Sequence, residues 1–199
     1  MDDTGSTVQL AGWRDTTTAR VLDETTAEQL RNFLPPLQRE SRRWRLAFST
    51  DQHGMSLRTL FDRARAAASG HGHGHAHHGH TPVLLAIQDS HGAVFGAFLS
   101  EPPAHKKGYY GNGSCFLWRK RAHGGINVFL ASGRNEFYML SESGADLAMG
   151  GGDGHFGLWI DSDLNHGHSD PCATFDNEAL ASTPGAFDIF ALELWHLEI

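Results

Sequence analysis

The stretch LAMGGGDGHFGLWIDSDLNHGHSDPCATF, residues 147–175, decides how the rest of the chain is read. Three consecutive glycines, Gly150, Gly151 and Gly152, open it, and Gly154 and Gly157 come shortly after. Such a run accepts backbone angles closed to other residues and admits a close approach by another segment, so it predicts a tight, irregular crossing. Gly152, Gly154 and Gly157 also spell G-x-G-x-x-G. A dinucleotide fingerprint, however, sits between a strand and a helix, with the pyrophosphate on the helix N-terminus. In this chain residues 156–161, FGLWID, alternate like a strand rather than opening a helix, so the glycines read as a structural turn. Asp161, Asp163 and Asn165 imitate the first ligands of a calcium loop. The sixth and twelfth positions of that loop hold His166 and Cys172 rather than Gly and Glu, so a polar turn bonding its own backbone is the better reading.

Working outward, the 199 residues suit one domain with a sizeable core, and 40% hydrophobic with 20% charged residues is the composition of a globular chain. The formal net charge of −7 argues against a phosphate-binding face. Short basic runs at 39–45 and 119–121 read as solvated faces. Cys115 and Cys172 have no CxxC spacing, which leaves neither a disulfide framework nor a four-thiolate zinc site and predicts two reduced, partly buried thiols. The N-terminus lacks the apolar run of a secretory signal, and no 18-residue apolar stretch exists, so a cytoplasmic location is expected.

Residues 1–23 are rich in Thr, Asp and Gly and are expected to form a flexible tail with Trp13 as its single anchor, ahead of one domain over 24–199. Thr25 and Glu28 have capping-box spacing before a short helix that Pro35 and Pro36 stop. Residues 44–49 read as a strand. Ser56 then caps a helix whose Leu57, Leu60, Phe61 and Ala64 share a face, with a stop at Gly70. Strands are predicted at 83–87, 94–99, 115–118, 126–131, 137–140, 156–160 and 187–197. Many short strands with helices confined to the first third give an α+β chain with mostly antiparallel sheet.

Between the helix and the next strand lies GHGHGHAHHGH, residues 70–80. Its six histidines, His71, His73, His75, His77, His78 and His80, alternate with small residues, so it reads as a flexible spacer. Imidazole also makes weak zinc, nickel or copper binding available there. Elsewhere no G-x-S-x-G turn occurs, and Ser114 lies at the start of an apparent strand. A thiol enzyme would draw on Cys172 with His166, or use the carboxylate Glu101; zinc on His166, His168 and Cys172 lacks an obvious fourth ligand.

AMGGGDGHFGLWIDSDLNHGHSDPCATFDN resembles the C-terminal signature of the TLDc domain family, the domain of the oxidation-resistance proteins. RWRLAFSTDQHGMSLRTLF, PVLLAIQDSHGAVFGAFLSEP, YYGNGSCFLW and DIFALELWHL resemble its other blocks in the same order, over residues 27–199. The histidine segment 70–80 interrupts these blocks like an insertion. The resemblance implies two packed antiparallel β-sheets, a β-sandwich, flanked by helices. It also implies a non-catalytic protein-interaction domain without a cofactor, acting in defence against oxidative stress. Glu101 and Gly150 to Gly152 fall on the family's functionally sensitive positions. The partner so implied is the soluble sector of the vacuolar-type proton-pumping ATPase, met by loops around Glu101, Gly150, Gly151, Gly152, Asp161, Asp163 and His168. The chain departs from the family pattern at Ser114, where many members are acidic, and at His168, where many carry Arg. Both changes remove a charge from loops that could face a partner.

Overall fold

Near the C-terminus, Ala186, Phe187, Asp188, Ile189 and Phe190 alternate outward and inward, and from Ala191 to Leu197 every side chain is buried. A strand covered first on one face and then on both must pass from the rim of a sheet into its middle. In the computed structural model, which describes residues 7–17, 19–69 and 81–199, this strand is the hub.

The elements in order are β1 (Gln9–Ala11), α1 (Glu24–Arg31), α2 (Pro36–Arg39), β2 (Arg43–Ser49), α3 (Thr50–His53), α4 (Leu57–Ser69), β3 (Val83–Asp89), β4 (Val94–Leu99), β5 (Lys106–Tyr110), β6 (Phe116–Lys120), β7 (Ile126–Leu130), β8 (Met139–Ser141), β9 (Asp146–Met149), β10 (Leu158–Asp161), β11 (His166–Ser169) and β12 (Gly185–Glu198). The strands join one hydrogen-bonded path, β5-β8-β9-β10-β11-β12-β3-β4-β6-β7, with β2 also against β12 and β1 against β2. All pairings are antiparallel except β1 with β2. The start of β12 pairs with β11 and the remainder with β3 and β2, so one strand connects both arms of the sheet.

Leu85, Ile87, Phe95, Ala97 and Leu117 of one arm share a core with Leu147, Met149, Leu158 and Ile160 of the other, and α4 adds Leu57, Leu60 and Ala64. A second core covers the opposite face of the first arm. There Trp44, Leu84, Trp118 and Trp195 meet Ala27 and Leu30 of α1. The α+β, mostly antiparallel character read from sequence holds. The expected pair of separate sheets is instead one continuous path, because β12 hydrogen-bonds to both arms.

The expectation of a flexible tail as far as Asp23 does not hold over the described residues 7–17 and 19–23. Val8 is fully buried, β1 adds to β2, and Trp13 meets Trp195 edge-on at 5.2 Å. Val21 and Leu22 donate their backbone N–H groups to the two oxygens of the buried Glu193 at 3.1 and 2.8 Å. Burial pushes that carboxyl up to about 7. The N-cap of α1 is Asp23, whose Oδ1 accepts from Thr26 N–H at 2.7 Å, not Thr25. Glu28 instead accepts from Val8 N–H at 3.0 Å and pairs with Arg31. Ser56 caps α4 as expected, accepting from Thr59 N–H at 3.2 Å. Gly70 and the histidine segment lie outside the described residues, and with them the metal-ligand reading of His71, His73, His75, His77, His78 and His80.

Candidate functional site

The sequence-predicted residues occupy two ends of the arm built from β5, β8, β9 and β10. β4 ends at Leu99, and the chain turns through Ser100 and Glu101, both buried. Ser100 is held twice: its Oγ accepts from Asn112 N–H at 3.0 Å, and its own N–H points at Cys115 Sγ, 3.4 Å away. The Glu101 carboxylate forms an ion pair with Lys106 at the start of β5. It lies against a cavity of about 740 Å³ whose wall includes Arg58, Phe61 and Arg65 of α4 and the β8–β9 turn at Ser143 and Gly144. A buried carboxylate with a half-exposed ammonium fixes the turn and presents charge at the cavity edge.

At the other end, β9 runs into Gly150, Gly151 and Gly152. Gly150 has φ +77° and Gly152 φ +108°, the left-handed region that glycine enters without strain. A Cβ on Gly150 would stand 2.7 Å from Cys172 Sγ and 2.8 Å from Phe175 Cδ2. The run therefore makes the close crossing expected of it, against residues 172–175. Gly151 N–H donates to Thr174 Oγ1 at 2.9 Å, and Thr174 Oγ1 donates to Asn135 Oδ1 at 2.7 Å. Gly151 itself turns toward a pair of surface aromatics: its Cβ would meet Tyr109 Oη at 2.8 Å and Phe137 Cβ at 3.4 Å. Tyr109 and Phe137 stack with centroids 4.5 Å apart, and both are more than a third exposed. β5 thus spans the two ends, Lys106 at Glu101 and Tyr109 at Gly151.

The polar loop after β10 is the backbone-bonding turn expected. Asp161 Oδ1 accepts from Asn165 N–H at 3.0 Å and His166 N–H at 3.2 Å, while Leu164 at φ +51° plugs the core, fully buried. Asp163 is exposed, and Ser162 O accepts the N–H of Leu57 at the start of α4 at 2.9 Å. This loop belongs to the Glu101 end, because Asp161 pairs with Asp146 beside the β8–β9 turn. His168 projects from β11 toward Asp170, with Nδ1 3.0 Å from Oδ2, and His155 reaches the same oxygen at 3.5 Å. His166 instead pairs with Asp188 at 2.8 Å.

The residues named for thiol or zinc chemistry are not joined. Cys172 Sγ is directed at Asn177 Oδ1 at 3.1 Å, His166 is taken by Asp188, and Glu101 by Lys106. Burial pushes the thiol pKa of both Cys115 and Cys172 up, the reverse of what an activated thiolate needs. Ser114 N–H and Oγ–H both bond Asn112 Oδ1, at 2.9 and 2.6 Å, inside a turn. No group of three His, Cys, Asp or Glu side chains among the described residues is arranged to hold a metal.

Sequence reasoning missed Lys106, Tyr109, Phe137, Asn135 and Thr174. The pair of aromatics had a faint signal, two large side chains beside Gly108 and Asn135, but their meeting depends on β5 pairing with β8, which no local pattern announces.

The sequence pattern of the TLDc domain matches residues 16–198. Oxidation resistance protein 1 of Yarrowia lipolytica is 36% identical over 96% of this chain and 79% of its own length. The protein of the same name from Eremothecium gossypii is 37% identical over 96% and 78%. Human Nuclear receptor coactivator 7 is 37% identical over 88% of this chain but only 17% of its own length, so the likeness is to one part of that protein. A match that spans the sheet, the glycine run and the Glu101 turn at this identity places the chain in the TLDc domain family.

Proposed function

We propose that this chain is a non-catalytic protein-interaction domain that protects cells against oxidative stress by binding the soluble sector of the vacuolar-type proton-pumping ATPase and shifting that pump between assembled and disassembled states. The oxidative-stress role is supported by the relatives named Oxidation resistance protein 1, which match nearly the whole chain. The observation that carries an interaction role is the surface at Gly151, where two stacked aromatics, each more than a third exposed, lie against a glycine turn whose Gly150 and Gly151 N–H groups are both bonded. Aromatic side chains on rigid supports are the usual anchors of protein interfaces. The separation of Glu101, His166 and Cys172 favours this role over thiol or acid–base chemistry, which needs its groups within hydrogen-bond reach.

Docking through the Glu101 turn, the glycine turn and the 161–168 loop uses the rim on both ends of the β5 arm. The shift in assembly then equals the difference in affinity for the two pump states. Location in the cytoplasm, where the soluble sector resides, belongs to the same proposal. Purified protein added to vacuolar membranes is expected to change soluble-sector release and ATP-driven acidification together. A folded sample that neither binds nor alters either quantity overturns the pump assignment.

A further inference from the structure

The sheet has three free edges among the described residues, and they are not alike. β5 carries Lys106, Lys107 and Gly108 and is interrupted by a register shift between Lys106 and Tyr109. β1 is three residues long. Both are edges of the kind that resists adding another strand, one by charge and irregularity and the other by brevity. β7 has neither protection. Its five residues, Ile-Asn-Val-Phe-Leu, pair with β6 in unbroken register.

The register fixes which backbone groups face out. Arg121 N–H donates to Gly125 O at 2.9 Å, so these opposite residues form a hydrogen-bonded pair. Alternation along an antiparallel ladder then makes Asn127 and Phe129 the residues bonded to β6, and turns the N–H and C=O of Ile126, Val128 and Leu130 away from it. Those three residues have no backbone partner among the described residues. Their side chains share one face: Ile126 and Val128 lean on the second core, and Leu130 is 57% exposed.

We infer that β7 is a strand-addition site for an extended segment of a partner protein, apolar at alternate positions and acidic at the end that meets the β6–β7 hairpin. The charge comes from Arg121 at that hairpin, which is exposed. The neighbouring Lys120 is taken by Asp23, whereas Arg121 has no acidic partner among the described residues. On a chain of net charge −7 this is a local cationic spot beside an unpaired ladder. A second copy laid antiparallel on β7 would send each hairpin toward the 131–134 end of the other copy, where Arg134 and Asp176 already pair with each other. A carboxylate-bearing foreign strand satisfies both features. The site lies on the opposite edge of the sheet from β5 and stands apart from the pump assignment.

The test uses the full chain and acetylated eight-residue peptides of alternating valine and threonine with either two glutamates or two lysines at one end. Amide hydrogen exchange resolved by residue reads the edge directly. The glutamate peptide is expected to slow exchange at Ile126, Val128 and Leu130 about tenfold or more, and to bind roughly fivefold tighter than the lysine peptide. Arg121→Glu should reverse that preference. Leu130→Pro removes one outward N–H from an exposed side-chain position and should abolish peptide protection at Ile126 and Val128, while Asn127 and Phe129 stay protected and so report an intact fold. No protection of the three amides by either peptide overturns the inference. Protection that appears without peptide and rises with protein concentration overturns it in favour of a second copy.

Discussion

Gly150 and Gly151 are neighbours in sequence, yet a methyl group added to each meets different surroundings. At Gly150 it strikes Cys172 Sγ and the Phe175 ring inside the core, at φ +77°. Gly150→Ala is expected to cost about 2–4 kcal/mol in urea unfolding, the overpacking and left-handed strain adding together. At Gly151 the nearest atom is the hydroxyl tip of Tyr109, which can swing away. Gly151→Ala should therefore change stability by under about 1 kcal/mol and displace the Tyr109–Phe137 stack. Loss of soluble-sector release by Gly151→Ala at unchanged stability would assign that surface to binding. Equal destabilisation by both would make the run purely architectural. The thiols give a second outcome at this scale. With both buried and their pKa values raised, the double variant Cys115→Ser with Cys172→Ser should rescue peroxide survival as well as the parent chain, provided it folds. A folded double variant that fails to rescue argues for thiol chemistry. The close crossing at Gly150 was legible from the run of three glycines, whereas Glu101 was singled out through the family resemblance. Tyr109 and Phe137 were not legible, since an aromatic near a strand reads as core until its neighbours are known.

Among the elements, the segment before α1 is bound by Glu193 of β12, which accepts from Val21 and Leu22. Burial lifts the folded-state pKa to about 7 from an ordinary value of 4.5, so between these limits the folded protein keeps a proton that the unfolded chain has lost. The stability contributed by this protonation is complete below the lower value and disappears as pH rises through the upper one, by up to about 3 kcal/mol. Glu193→Gln should flatten that part of the profile, measured by urea unfolding between about pH 5 and pH 8. An unchanged slope would show that Glu193 does not titrate in this range. The binding of this segment was illegible in sequence because its anchors, Val8, Trp13, Val21 and Leu22, are scattered among Thr and Asp, and its acceptor lies 171 residues from Leu22. β4 was read to the residue from its apolar run and turn signals. β11, His-Gly-His-Ser, has no apolar period at all and is a strand because β10 and β12 supply ladders on both sides. Tertiary context outweighed propensity there. The α1 cap moved from Thr25 to Asp23 for a related reason: Glu28 is drawn to Val8 and Arg31 and cannot complete a capping box.

For the molecule as a whole, the pump assignment and the histidine segment can be separated. If residues 70–80 act as a spacer, replacing His71, His73, His75, His77, His78 and His80 by serine should leave soluble-sector release and peroxide survival unchanged, whereas a drop in either would give the imidazoles a role. The continuity of the sheet has a consequence for how the protein is made. Leu192 N–H bonds to Thr50 Oγ1 across 142 residues, and β12 also lies between β2 and β3, which have no ladder to each other. A ribosome delivers β12 after every other strand. Until it emerges, the nascent chain holds two unfinished arms whose tryptophans and leucines face water or a chaperone, and the ladders that join β11, β2 and β3 through β12 cannot form. Folding of this domain thus waits for β12 to leave the ribosome, and a ribosome that stalls before residue 185 releases a substrate for quality control rather than a partly working protein.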